Sequence, residues 1–96
     1  MNANYTFGSP IPAGSKKVAY TGTAGTTAAI STNANVVRVI STTDCFIEIG
    51  TNPTAVADTG LYLPALTPEY FACPEGAKVS AIQVSSGGTL YVTPMA

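Results

Sequence analysis

The chain repeatedly alternates apolar and polar positions over stretches of five to seven residues. In the segment CFIEI at 45–49, Cys45, Ile47 and Ile49 fall on one side, and Phe46 and Glu48 fall on the other. A period of two residues is typical of a β-strand with one buried face. The alternation therefore predicts short strands and no long helix.

Seven or eight such strands are predicted along the chain. The strongest is VVRVIST at 36–42, where only Arg38 interrupts an apolar run, and this favours an inner position in a sheet. The other segments with strand character are 16–21, the weaker 26–30, 45–49, 61–63, 69–73, 78–84 and 89–93. Breakers separate them about every 8–12 residues, a pattern typical of an antiparallel sandwich or barrel. The spacing leaves jelly-roll and immunoglobulin-like topologies open.

Two turns predict hairpins between neighbouring strands. The short turn after residue 42 predicts that strand 36–42 pairs with 45–49. The segment Ser85-Ser86-Gly87-Gly88 predicts a tight hairpin between 78–84 and 89–93, because Gly-Gly tolerates the positive φ of such turns. The apolar positions of these strands are the predicted core: Val37, Val39, Ile47, Ile49, Val79, Ile82, Leu90 and Val92.

The first fifteen residues have a different character from the rest. The segment MNANYTFGSPIPAGS lacks any sustained period, and its prolines exclude a central strand. We therefore divide the chain into an extended arm at 1–15, which reaches up to roughly 50 Å, and a single β domain at 16–96. The apolar side chains of the arm, Tyr5, Phe7 and Ile11, are the candidate interface residues.

Composition changes this picture in one respect, which is the scarcity of charge. Charged residues make up 9% of the chain and hydrophobic residues 46%, with a net charge of −1. A large free surface is hard to keep soluble with so few charges, which indicates that partners or copies cover part of it. Four Lys and Arg residues do not form a groove that follows phosphates, so we expect no nucleic-acid partner. No apolar run reaches the ~18 residues of a membrane span, so we expect no membrane partner.

The residue types needed for common catalytic and metal sites are scarce. The chain has no His, which removes the commonest general base and the commonest transition-metal ligand. The five acidic residues form no calcium-loop motif. We therefore expect no enzyme activity, catalytic residue, metal or cofactor. Tyr62, Tyr70 and Tyr91 leave open a stacking surface for a sugar, although packing is the more common use of such side chains.

The two cysteines, Cys45 and Cys73, each fall in a predicted strand. Both fit buried, small apolar side chains, and a disulfide between them requires Cα atoms within about 7 Å. The start MNANYTF has neither a basic nor an apolar signal-peptide region, which favours assembly in a reducing cytoplasm and free thiols.

From residue 36 onward the chain carries a series of blocks in fixed order. They are VVRVIST at 36–42, DC at 44–45, NPTA at 52–55, YLP at 62–64, TPEYF at 67–71, KV at 78–79, IQ at 82–83, GGTL at 87–90 and VT at 92–93. This series resembles a group of small virion structural proteins encoded by tailed bacteriophages and prophages. Leu66 stands where that group usually has Gly.

The resemblance implies a non-enzymatic, β-rich virion component. The leading hypothesis is a capsid decoration, or cement, protein that sits on the capsid surface, binds the major capsid protein at capsomer junctions and stabilises the head. A head–tail connector, neck or tail component is an alternative, and a carbohydrate-binding module is an alternative from another class. A homo-oligomer is expected, because closed symmetry hides apolar surface. A trimer is favoured by a capsid three-fold position, and a dimer remains open.

Overall fold

The computed structural model describes residues 14–30, 36–74 and 76–95, and within these ranges the protein is all-β. Eight strands follow one another: β1 (Lys16–Tyr20), β2 (Gly25–Thr26), β3 (Val36–Ser41), β4 (Cys45–Gly50), β5 (Leu61–Leu63), β6 (Glu69–Ala72), β7 (Lys78–Gln83) and β8 (Gly88–Met95). The predicted all-β sandwich is confirmed. The predicted interface residues Tyr5, Phe7 and Ile11 lie outside the described residues.

The strands form two antiparallel four-stranded sheets that enclose one core. Sheet I has the order β1-β8-β3-β6, and sheet II has the order β2-β7-β4-β5. The pairs β1–β8, β2–β7, β3–β6 and β4–β5 are nested inside one another, like the two arms of a single long hairpin. The additional pairs β3–β8 and β4–β7 join these into sheets. This order is that of a jelly roll, and it differs from the immunoglobulin arrangement.

Both hairpins predicted from the turns are wrong. β3 and β4 lie in opposite sheets, and so do β7 and β8. Segments 42–44 and 84–87 therefore carry the chain across the sandwich instead of reversing it within one sheet. Turn residues indicate that the chain changes direction, but they do not encode which sheet receives the next strand. The hairpin between consecutive strands that does form in one sheet is β4–β5.

Four crossings, at 21–24, 42–44, 64–68 and 84–87, meet at one end of the sandwich, which we call the crossing end. The buried Tyr20 hydroxyl donates to the Thr43 carbonyl at 2.8 Å, and Thr43 Oγ1 donates to the Ser86 carbonyl at 3.0 Å. A Cβ added at Gly88 would lie 2.5 Å from Thr43 Oγ1 and 2.8 Å from the Tyr20 hydroxyl. Position 88 therefore requires glycine because the Tyr20 and Thr43 side chains pack directly against its backbone. The φ angle of Gly88 is not positive, so left-handed backbone geometry is not the reason.

The core consists of the inward side chains of both sheets. Val37, Val39, Ile47, Val79, Leu90 and Val92 are buried as predicted, and Ile49 packs against them while partly buried. Ile82 was placed in the core wrongly. Val79 and Ala81 point inward from β7, so Ile82 points outward, where it pairs with Phe46 of β4.

Two strands, β2 and β8, differ from the predicted segments by more than one residue at an end. β2 is only two residues long. After Thr26, separate backbone hydrogen bonds replace the regular ladder, from the Thr27 amide to the Val79 carbonyl and from the Ile30 amide to the Ala77 carbonyl. β8 extends through Pro94 to Met95. The β1–β8 ladder ends at the Lys16–Val92 pair, so β8 has no β1 partner at Pro94, and the missing amide is tolerated there.

We expect Ile47→Ala to lower the free energy of unfolding by about 2–5 kcal/mol, because this side chain is fully buried and its loss leaves a cavity. Ile82→Ala removes the same atoms from an outward, half-buried position and should cost less than about 1.5 kcal/mol. Urea unfolding monitored by circular dichroism gives both values. Equal losses in the two variants would contradict the assigned strand faces.

Candidate interaction surfaces

The described part of the chain contains no enclosed pocket. Among the same residues there is no group of three His, Cys, Asp or Glu side chains placed to hold a metal ion. None of its secondary structure is a helix with the length and hydropathy to span a bilayer. The candidate interaction features of the molecule lie on its surface.

Large apolar side chains are exposed on the outside of the sandwich. Seven of them are between 43% and 70% exposed: Val56, Leu61, Tyr62, Leu66, Tyr70, Val84 and Tyr91. Single exposed apolar residues are normal, whereas grouped ones mark interaction sites. Tyr62 lies on the outer face of sheet II, Tyr70 and Tyr91 lie on that of sheet I, and Leu66 and Val84 lie at the crossing end. Val56 lies in the β4–β5 connection, and Leu61 lies at the inward edge of β5.

The first group lies on the outer side of sheet II and is called the acidic face. Asp44, Phe46 and Glu48 occupy alternate positions along β4 and its preceding residue, so they share that side. Tyr62 of β5 and Ile82 of β7 flank Phe46 in register on either side. The Phe46 and Tyr62 rings meet edge to face, with centroids 5.8 Å apart. The five side chains define an aromatic strip bordered by two carboxylates.

Asp44 links this face to the crossing end. One carboxylate oxygen accepts the Ala65 amide at 2.8 Å, and the other accepts the Tyr62 hydroxyl at 2.8 Å. These bonds favour the ionised form and hold the pKa of Asp44 below its ordinary value of 3.8, with the Ala65 amide as the larger cause. The hydrogen bond from the Tyr62 hydroxyl to this carboxylate raises the pKa of Tyr62, because it stabilises the protonated phenol. The carboxylate thus fixes the start of the β5–β6 crossing.

The remainder of sheet II is covered by the chain itself. The β4–β5 connection folds back over β7, where the Ala55 amide donates to Ser80 Oγ at 2.9 Å and the Thr26 hydroxyl donates to the Pro53 carbonyl at 3.5 Å. Pro53 and Ala55 are buried by this contact. The Asn-Pro-Thr-Ala block therefore covers the outward Ser80, and the acidic face lies beside it.

The second group lies on the outer side of sheet I and is called the basic face. Lys17 pairs with Tyr91, which in turn pairs with Ile40, so a cation, an aromatic ring and an aliphatic chain form one row. In the next row Arg38 pairs with Tyr70. Tyr70 and Tyr91 are exposed, and Arg38 and Ile40 are half-buried. This face combines two aromatic rings with two positive charges.

The three tyrosines considered for sugar stacking therefore divide between two sides. Tyr70 and Tyr91 lie on the basic face, and Tyr62 lies on the acidic face. Cys45, in β4 of sheet II, and Cys73, directly after β6 of sheet I, are both buried, free thiols, and burial raises the pKa of each. The favoured free state of the cysteines is thus confirmed.

Leu66 combines strain with exposure at the tip of the β5–β6 crossing. Its φ is 59°, in the left-handed region that bulky residues rarely enter, and its side chain is 70% exposed. The Leu66 amide donates to the Ser41 carbonyl at 2.8 Å, which holds the turn in place. Gly would adopt this backbone at lower cost.

The sequence predicted which residues lie on each side of β4. It did not predict that the outer side of either sheet forms an interaction surface. The alternation of Asp44, Phe46 and Glu48 is visible in the sequence. The neighbours that complete the acidic face, Tyr62 and Ile82, depend on strand pairing that turn signals do not reveal. The basic face likewise requires the long-range β1–β8 and β3–β8 pairs.

We expect acid to remove a stabilising contribution of Asp44. Its native pKa is lowered, so this contribution is complete above the unfolded pKa of about 3.8 and is lost as pH falls through the lower native value. Asp44→Asn lacks this titrating group. As the pH falls from 5 to 2, the natural protein should lose its advantage, and the difference in unfolding free energy between the two proteins should shrink. Urea unfolding across this range measures the difference. Asp58→Asn serves as the control, and a constant gap between Asp44→Asn and the natural protein would count against the assignment.

We expect Leu66→Gly to be more stable than Leu66→Ala by about 0.5–1 kcal/mol. Both variants remove the exposed side chain, but only Gly releases the left-handed strain of ~1–2 kcal/mol, part of which its greater unfolded-state entropy offsets. Chemical unfolding of both variants provides the comparison. Equal stabilities, or a more stable Ala variant, would show that the turn carries no strain.

Comparison with known proteins does not extend this description. No protein-family model matches the sequence, and neither a curated protein nor a solved structure does so. The features of the molecule that bear on its function are the acidic face, the basic face and the crossing end.

Proposed function

We propose that this protein is a non-enzymatic virion structural protein that decorates a phage capsid. The observation that carries the proposal is the exposure of Tyr62, Tyr70 and Tyr91 on the outer faces and of Leu66 and Val84 at the crossing end, outside a buried core. Such groups mark surfaces that other proteins cover. The low charge of the chain supports this role, because few ions have to be desolvated when a partner binds.

The architecture supports the proposal by analogy. Eight-stranded jelly rolls occur in viral capsid proteins, and also in lectins and cupins. An analogy of fold does not by itself assign a function. It does agree with the resemblance of residues 36–93 to phage virion proteins, which was reached from the sequence blocks alone.

The proposed mechanism is mechanical clamping of the phage head. The β domain sits over a junction between capsomers, and the arm at 1–15 places Tyr5, Phe7 and Ile11 on neighbouring subunits. Burial of apolar surface contributes about 25 cal/mol per Å² before the costs of association. Many identical copies, each making weak contacts to the major capsid protein, raise the effective affinity. The protein therefore acts on the capsid surface after assembly in the host cytoplasm.

A head–tail connector or tail component would use the same surfaces, and the position of the protein in the virion distinguishes these roles. A carbohydrate-binding module is the candidate from another class. It is favoured by one observation, which is that Tyr70 and Tyr91 are exposed on the same face. Binding of glycans on an array, abolished by Tyr91→Ala, would support that reading.

We expect deletion of residues 1–13 to leave the β domain folded and to weaken capsid binding, because β1 begins at Lys16. Co-sedimentation with phage heads that lack this protein measures binding, and cooperative unfolding measures folding. The variant Tyr5→Ala/Phe7→Ala keeps the full length and should weaken binding in the same way.

Three results would contradict this scheme. Undiminished binding of the truncated protein would show that the arm is not an anchor. Failure of the truncated protein to fold would place residues 1–13 in the domain. No binding of the full-length protein to heads would reject the decoration role.

A further inference from the structure

The two outer faces of the sandwich carry opposite net charges. Lys78 stands on the outer side of sheet II beyond Glu48, in register with Gly50, so that side holds two carboxylates and one half-buried cation. The acidic face contains Asp44 and Glu48, and its other members are Phe46, Tyr62 and Ile82. The basic face contains Lys17 and Arg38, and its other members are Ile40, Tyr70 and Tyr91. Half of the four Lys and Arg residues of the chain thus lie on one face, and two of its five acidic residues lie on the opposite one.

The charges also have similar spacing on the two faces. Asp44 and Glu48 are four residues apart along one strand direction, which corresponds to about 14 Å at the rise of an antiparallel strand. Lys17 is two strands away from Ile40, and Arg38 is two residues from Ile40 on β3, which gives a separation of about 12 Å from strand spacing and rise. Long Lys and Arg side chains can accommodate the difference. On each face, aromatic or aliphatic side chains occupy the space between the charges.

We propose that the basic face of one copy packs on the acidic face of the next, with Arg38 opposite Glu48 and Lys17 opposite Asp44. The proposal rests on the proposed function as a multi-copy virion protein and on the homo-oligomer expected from the sequence, and it specifies the surfaces that such copies use. Stacked sheets lie about 10 Å apart, which places the aromatic side chains of the two faces in contact. The resulting interface is heterologous, because different surfaces of the two copies meet.

A second copy is the occupant that the charges favour. Pairing two basic faces places cation against cation, and pairing two acidic faces places carboxylate against carboxylate. Both arrangements are repulsive, whereas the mixed arrangement is attractive. Two cations are too few for a nucleic-acid strand to be the preferred occupant of the basic face.

The two kinds of side chain have different roles in this interface. Exposed ion pairs contribute little affinity, so Arg38 and Glu48 mainly set orientation and exclude wrong pairings. Tyr62, Tyr70 and Tyr91 supply the apolar area, and tyrosine is enriched among the residues that dominate binding energy. The two faces lie on opposite sides of the sandwich, so this head-to-tail contact repeats as an open row of copies and does not close into a small ring.

The test reverses one charge on each face. Arg38→Glu and Glu48→Arg should each weaken self-association about tenfold or more, measured by sedimentation equilibrium of the full chain at low salt. The double variant Arg38→Glu/Glu48→Arg restores the opposite pairing and should return to within about threefold of the natural protein. Lys16→Glu and Glu69→Arg are the controls, because these side chains stand on the inward side of strands at sheet edges, in register with buried Val92 and Val39. Both controls should associate normally.

Several outcomes would overturn this interface. Normal association of either Arg38→Glu or Glu48→Arg would remove that face from it, while self-association and the decoration role would stand. Weak association of the double variant would reject the pairing of Arg38 with Glu48. A natural protein that stays monomeric would reject the interface, whereas the decoration role would still be decided by binding to heads. If such a monomer lost head binding through Arg38→Glu, the basic face would bind the capsid protein and not a second copy.

Discussion

The structure depends on one constraint, which is that consecutive strands, except for the β4–β5 pair, line a single hydrophobic interior from opposite sheets. Val37 and Val39 of β3 face Cys45 and Ile47 of β4 across the core, because segment 42–44 passes from one sheet to the other. The hydroxyl groups of Tyr20 and Thr43 hold the crossing in place, because they donate hydrogen bonds to the carbonyls of Thr43 and Ser86, where no strand pairing is present. Tyr20 and Phe71 pack inward, and the other aromatic residues of the described part, Phe46, Tyr62, Tyr70 and Tyr91, lie on the two outer faces.

The sequence predicted the local features of this fold well and the long-range ones poorly. Alternation located strands near their observed bounds and assigned Ile47 to the core, because the period of side chains along a strand is a local property. Ile82 was misplaced because the segment KVSAIQV is apolar on both sides and alternation alone does not decide between them. The hairpins failed for a related reason. The turn at Gly88 was explained by a positive φ, whereas the structure uses the missing Cβ to admit Tyr20 and Thr43.

Asp44 shows how one side chain connects a turn to a surface. Its carboxylate accepts the Ala65 amide at the β5–β6 crossing and the hydroxyl of Tyr62 on the outer face. The position of that ring, and therefore its edge contact with Phe46, depends on the same group that holds the turn. Asp44 and Tyr62 belong to two separate sequence blocks, and their contact across 18 residues depends on the β4–β5 pairing and is not visible in either block.

The nested pairing of the strands also affects the order in which the protein can fold during synthesis. β8 lies between β1 and β3 in sheet I, so β1 has no neighbour in that sheet until β8 has been made. Until β8 leaves the ribosome, the exposed edges of β1 and β3 are open to other chains. Pairs so distant in sequence form slowly, because the loop between them must first be closed. A protein made in many copies therefore depends on the rate at which β8 inserts relative to the rate at which unfinished chains meet.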